Sequence, residues 1–310
     1  MRWLIIAPCQ DPDTMAAENF LAGYKAEYRK IFIYKGLSHS DFLKDLKDVL
    51  QVTHCIIVGS AEMHGVSDYA FVLGVLTGQQ VRTFIYTGGA YEKDYEELNI
   101  QDRSFFHCYD NLSEMFNFIS TKYEQYRIAD LQRTSMTKLL TLGIPFTSDS
   151  FAKYIAKDDT ETCNVFRDAG MLANAYTAEG VPMLCVATRN DCFDKVKWLL
   201  DQGADINAVA KDRGYSAVMD AVWRKNYDIT EFLISKGAKL DFISSDGQPI
   251  LVLAVGNGNV RIVELLLEHG ADPDIKDSMG MSARGYANLF KKPALVELME
   301  KYPPKTPACS

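Results

Sequence analysis

Glu62, His64 and Asp68 lie close together in "VGSAEMHGVSDYAFVLG", between an apolar run and an amphipathic stretch. Either carboxylate could point into a cleft at the strand end, where a carboxylate can act as a nucleophile. A plainer role competes in each case. Ser67 or Asp68 caps a helix, Glu62 is solvated, and His64 has no partners at metal-ligand spacing, so no metal site is expected. The stretch "APCQDPDT" adds Cys9, Gln10 and Asp11, and Gly59, Ser60 and Gly88 complete a candidate ligand cleft. Cys9, flanked by acids, reads as a packed and weakly reactive thiol.

Strands and helices must alternate to bring these residues together. Residues 2–9, 30–35, 54–60, 81–86 and 104–110 are nearly continuous apolar runs, as strands of a parallel sheet covered on both faces should be. Between them lie amphipathic stretches. In "SDFLKDLKDVL", Phe42, Leu43, Leu46, Val49 and Leu50 share one face and Lys44, Asp45, Lys47 and Asp48 the other, with Ser38 or Ser40 as cap. This rhythm predicts an α/β domain over 1–134 with a doubly wound, flavodoxin-like sheet of about five parallel strands. A long helix over 111–133 closes it. Ligands of such sheets bind outside the carboxyl ends of the strands, where residues 8–13, 59–67 and 87–90 would fall. No GxGxxG or GxxxxGK[ST] is present there.

The second half repeats. Gly180, Gly214, Gly247 and Gly280 are 34, 33 and 33 residues apart, and Gly170, Gly203, Gly237 and Gly270 keep nearly the same spacing. Such a period marks a solenoid. "GQPILVLAVGNGNVRIVELLLEHGADPD" resembles the ankyrin pattern, and the copies beginning at Gly180 and Gly214 follow it with substitutions. The resemblance implies an all-α ankyrin-repeat solenoid over 147–302, of about four to five repeats with degenerate end copies. A linker over 135–146 precedes it, and the tail 303–310 is expected to fray. Leu184, Val218 and Leu251 should fill the first helices, Ala187, Ala221 and Ala254 let helices approach, and Gly203, Gly237 and Gly270 end helices in left-handed turns.

The repeats imply a protein partner held on the concave face. Side chains free to meet it include Arg189, Asn190, Trp223, Arg224 and Asn257 on the inner helices, and Glu179, Asp212, Arg213, Tyr215, Asp246 and Gln248 at the turn tips. Trp223 stands out, because an outward tryptophan is the usual anchor of an interface.

The first half resembles, through "SDYAFVLGVLTGQQVRTFIY", the nucleoside deoxyribosyltransferase-like and TIR-like α/β enzymes. That resemblance implies a nucleotide or nucleoside ligand and a catalytic glutamate on the helix. Carried over by position, the glutamate falls on Val72, while Gly74 and Gly78 are retained with packing as their explanation. The expectation is therefore an interaction protein with a ligand-sensing or regulatory α/β domain. An N-glycosidase or transferase working through Asp68 or Glu62, with the repeats as a targeting arm, is the alternative. No cofactor is firmly implied.

Composition fits this. The 310 residues carry a net charge of −8, which disfavours a nucleic-acid partner. Seven scattered cysteines without a CxxC pair argue against a disulfide framework and for a cytoplasmic setting. No run approaches the roughly 18 apolar residues of a membrane span.

Overall fold

The computed structural model describes residues 1–34, 52–60, 63, 67–88 and 105–302. Two compact units, Met1–Arg133 and Thr134–Ser310, divide the chain. The helix expected over 40–50 and the tail over 303–310 lie outside the described residues.

In the first unit β1 (Arg2–Ala7), β2 (Glu27–Phe32), β3 (His54–Val58), β4 (Arg82–Tyr86) and β5 (Phe106–Tyr109) pair in parallel in the order β2-β1-β3-β4-β5. Successive side chains along a strand point to opposite faces, so one apolar run serves two cores. Leu4, Ile6, Cys55, Ile57 and Ile85 pack on one face with α2 (Ser67–Gly78). Trp3, Ile5, Ile56, Val58 and Phe84 belong to the other cluster, with Ala17 and Leu21 of α1 (Pro12–Gly23) and Met115, Ile119 and Tyr126 of α3 (Leu112–Thr141). The strand β2 starts earlier than expected, at Glu27. Among the described residues it pairs on one side only, with β1, and its early residues alternate between exposed and half-buried, which hides it from a search for apolar runs. The long helix likewise continues beyond Arg133 to Thr141, into the stretch expected as linker.

The second unit is a stack of helix pairs: α4 (Ser148–Ala156) with α5 (Thr160–Asp168), α6 (Met183–Arg189) with α7 (Phe193–Asp201), α8 (Ala217–Arg224) with α9 (Tyr227–Ser235), α10 (Ile250–Asn257) with α11 (Val260–Glu268), and α12 (Ala283–Leu289) with α13 (Pro293–Lys301). Leu184, Val218, Leu251, Ala187, Ala221 and Ala254 are all buried, as their register requires. Asp159, Asn226 and Asn259 cap the second helices by accepting the N–H three residues on. Gly203, Gly237 and Gly270 have φ of 83°, 88° and 88°, the left-handed turn expected of them.

Between pairs, hairpin tips stack through backbone hydrogen bonds. Lys211 N–H donates to the Gly180 carbonyl (3.1 Å), Ser245 to Arg213 (3.0 Å) and Ser278 to Gly247 (3.2 Å). A Cβ added at Gly214 would stand 2.4 Å from the Ser245 backbone nitrogen, whereas one at Gly280, the matching tip of the last hairpin, would meet nothing within 4 Å. Both have positive φ, 67° and 80°. Gly280→Ala should therefore lose about 1–2 kcal/mol for the left-handed conformation. Gly214→Ala should lose at least about 1 kcal/mol more, because the next repeat must shift. Urea unfolding of the two variants measures the difference, and equal losses would mean that the tips are not stacked in solution.

Candidate functional site

The carboxyl edge of the sheet gathers some of the expected cleft. Asp11 is the N-cap of α1, its carboxylate accepting Thr14 N–H at 2.7 Å, so its side chain is already in use. Gln10 donates to Glu18 at 2.8 Å and accepts from Lys30. Cys9 is exposed rather than packed. Tyr86, at the end of β4, reaches Asp13; burial pushes its phenol up, and the charges of Asp13 and Asp11 push the same way. Gly88 sits against the Tyr86 ring, to which an added Cβ would come within 3.8 Å. Gly59 N–H donates to the Tyr86 carbonyl at 2.8 Å, while Ser60 Oγ is buried without a hydrogen-bond partner. Glu62 and His64 lie outside the described residues, and Asp68 belongs to the first turn of α2.

The helix that suggested an enzyme turns a hydrocarbon inward. Val72 is 0% exposed and packs in the cluster of Leu4, Ile6, Ile57 and Leu76. A carboxylate there would be buried among alkyl groups at a cost of several kcal/mol. A Cβ on Gly74 or Gly78 would meet no atom within 4 Å among the described residues, so close packing does not explain these glycines.

The repeats sort their own candidates differently. Arg189 Nε donates to both oxygens of Asp220 (3.0 and 2.9 Å), and its terminal nitrogens donate to Asp212 (2.6 and 3.0 Å). Arg224 donates to Asp191, which also accepts from Asn226 at 3.0 Å. Asn257 donates to the Val222 carbonyl at 3.0 Å, and Asn190 to Val186 at 2.8 Å. Arg189, Asp212, Arg224 and Asn257 thus tie neighbouring repeats together rather than stand free. Tyr215 is buried, Glu179 exposed and Gln248 half-buried.

Around the remaining candidates a cup of about 300 Å³ opens, lined by Asp212, Arg213, Tyr215, Trp223, Ser245 and Asp246. Trp223 is 47% exposed, its ring meeting Tyr215 edge-on at 6.5 Å with the Arg213 guanidinium 6.0 Å from its centre. An aromatic wall between a cation and a carboxylate suits an amphipathic side chain.

These residues fall within a region that a family model described as ankyrin repeats matches in three copies, over 152–243, 183–277 and 218–302. Residues 152–302 are ankyrin repeats. An ankyrin repeat-containing protein of Treponema pallidum is 34% identical over 183 residues, 59% of this chain and 61% of its own length. The ankyrin repeat and KH domain-containing protein of Caenorhabditis elegans is 33% identical over 121 residues, 36% of this chain and 4% of its own. The B-cell lymphoma 3 protein homolog of Mus musculus is 33% identical over 99 residues, 32% of this chain and 22% of its own. The chain therefore spans less than two thirds of each. No helix among the described residues is long and apolar enough to cross a membrane.

Two features of the ankyrin surface escaped sequence reasoning. Tyr176, Val209 and Ile243, bridged to Pro182, Ser216 and Pro249, are exposed by 45%, 37% and 49%, an apolar position that recurs in the first three hairpins and gives way to Lys276 in the fourth. Their signal was available in the repeat register. The other is Asp220, 1% exposed beneath Arg189. Burial pushes its carboxyl up to about 6, with Arg189 pulling the other way. The folded chain therefore holds a proton that the unfolded chain has lost between about pH 4 and pH 6. Asp220's contribution to stability falls as pH rises through that window and is level above it. Arg189→Met removes the cation that answers this carboxylate and should cost about 3–5 kcal/mol at neutral pH. Urea unfolding should show the deficit shrinking on acidification, as the orphaned carboxyl takes up its proton. A deficit independent of pH would mean that Asp220 is not charged in the fold.

Proposed function

We propose that this chain is an interaction protein whose ankyrin repeats hold a protein partner, with Trp223 as the anchor. The observation that carries this reading is the exposure of Trp223 on a helix whose neighbours Val218, Ala221 and Val222 are buried. A large aromatic surface left in water gains most from a partner, and tryptophan and arginine dominate binding hot spots. Arg213 and Asp246, the latter also accepting from Ser244, line the cup beside it, and the hairpin residues Tyr176, Val209 and Ile243 offer further apolar contact. Arg189, Asp212, Arg224 and Asn257 act on the partner indirectly, by setting the curvature of the stack.

The α/β domain is read as a flavodoxin-like, ligand-sensing or regulatory module. Its strand order, in which the chain reverses direction of growth between β1 and β3, supports that architecture. The burial of Val72 and the capping duty of Asp11 support a role without bond cleavage.

About half of Trp223 packs on its own repeats, so its truncation costs about 1–2 kcal/mol and leaves the chain folded. Trp223→Ala should therefore lower the urea midpoint modestly while binding the partner at least about 30-fold more weakly. Arg224→Ala, which cuts the tie to Asp191, should lower the midpoint without a comparable loss of binding. Retention of the same proteins by immobilised wild-type chain and Trp223→Ala would overturn the anchor.

A further inference from the structure

The amino ends of β3 and β4 border a second concavity, inside the first unit. Its volume is about 150 Å³, the liquid share of about five waters. Thr53 precedes β3 and His54 starts it, Arg82 starts β4, Gln80 comes from the turn before it, and Tyr126 and Asp130 from α3.

Its charges are unequally answered. Asp130 pairs with Arg133 at 2.9 Å. Arg82 stacks on the Tyr126 ring, 4.1 Å from its centre, and among the described residues its guanidinium makes no hydrogen bond and no ion pair. Stacking holds the planar group in place and leaves its in-plane N–H donors available. His54 is wedged by Trp3 at 4.8 Å and Tyr126 at 5.4 Å, with Thr53 Oγ1 2.9 Å from Nδ1. Burial lowers its pKa to about 3, so at neutral pH the imidazole brings no charge of its own. The end of α2 does not oppose an anion strongly, since the carbonyls of Val75, Leu76 and Thr77 receive the N–H groups of Gln79, Val81 and Gln80.

Thr53 Oγ1 is already engaged with the Arg2 backbone and His54 Nδ1. This leaves the stacked Arg82 and the Gln80 amide as a donor set for a small tetrahedral oxyanion, which the cavity has room to hold. We propose that this cavity binds a phosphoryl group, held chiefly by Arg82. The group can come from inorganic phosphate or from the end of a nucleotide. The site lies at the opposite edge of the sheet from the crevice where open α/β sheets take their ligands. It therefore stands or falls independently of the Trp223 reading.

The test is thermal unfolding of the full chain with millimolar inorganic phosphate, with AMP, and with chloride at matched ionic strength. A ligand of the native state must raise the melting temperature, by a stabilisation that grows with the logarithm of its concentration above Kd. Such stabilisation by phosphate or by AMP, absent with chloride, is expected, and which of the two acts identifies the source. Arg82→Gln should weaken the apparent affinity about tenfold or more, since it removes hydrogen bonds to a charged group. Asp130→Asn, which removes the one carboxylate of the lining, should strengthen it, and it keeps the test alive if Arg82→Gln does not fold. No stabilisation beyond chloride, an unchanged response in Arg82→Gln, or an unchanged or weaker one in Asp130→Asn would overturn the proposal.

Discussion

A single helix pair of this array cannot bury its own apolar faces. Leu184, Val218 and Leu251 are enclosed only because the next pair lies over them, so the whole second unit depends on repeat-to-repeat stacking. At the hairpin tips that stacking is a backbone contact. The Arg213 carbonyl receives Ser245 N–H beside a glycine that has no room for a side chain. The apolar interior supplies most of the free energy, and the tips set the angle at which it is delivered.

That constraint also decides which polar side chains remain for a partner. Stacking brings each inner helix beside the next, where desolvated donors and acceptors must find one another. Arg189 meets Asp220, 31 residues further along, and Arg224 meets Asp191, 33 residues back. Asn257 spans to the Val222 carbonyl in the last turn of the preceding inner helix. Charge on the inner helices is thus largely consumed as mortar between repeats. What is left over is aromatic and apolar, Trp223 and the hairpin row of Tyr176, Val209 and Ile243, because hydrocarbon needs no answering partner and can stay at the surface unpaired.

The repeat was legible in the sequence because period and glycine placement are local signals. Gly203 must adopt positive φ wherever its helix ends, and a reader needs only its neighbours to know it. Whether Arg189 is free depends on a carboxylate a whole repeat away, and no local pattern carries that. The same holds in the first unit. Strands with two covered faces announced themselves as apolar runs, whereas β2, at the edge, mixes Glu27, Arg29 and Lys30 with its buried Ile31. Cys9 read as packed because the run before it is so apolar, yet that run stops at Ala7 and the thiol lies beyond the core.

The α/β unit presents two unlike edges, and their difference follows from what each strand end must do. At the carboxyl edge most of the described polar groups are engaged with one another, Ser60 Oγ excepted: Asp11 caps α1, Tyr86 leans on Asp13, and Thr87 Oγ1 donates to Asp110. At the amino edge Trp3, His54 and Tyr126 form an aromatic wall, and among the described residues Arg82 is held by the face of Tyr126 with no hydrogen bond to its guanidinium. A guanidinium keeps its charge at every physiological pH and cannot resolve that mismatch by losing a proton. The chain could have removed it with a carboxylate in reach of Arg82. Its nearby carboxylate, Asp130, is turned to Arg133 instead, which leaves the deficit to be met from outside.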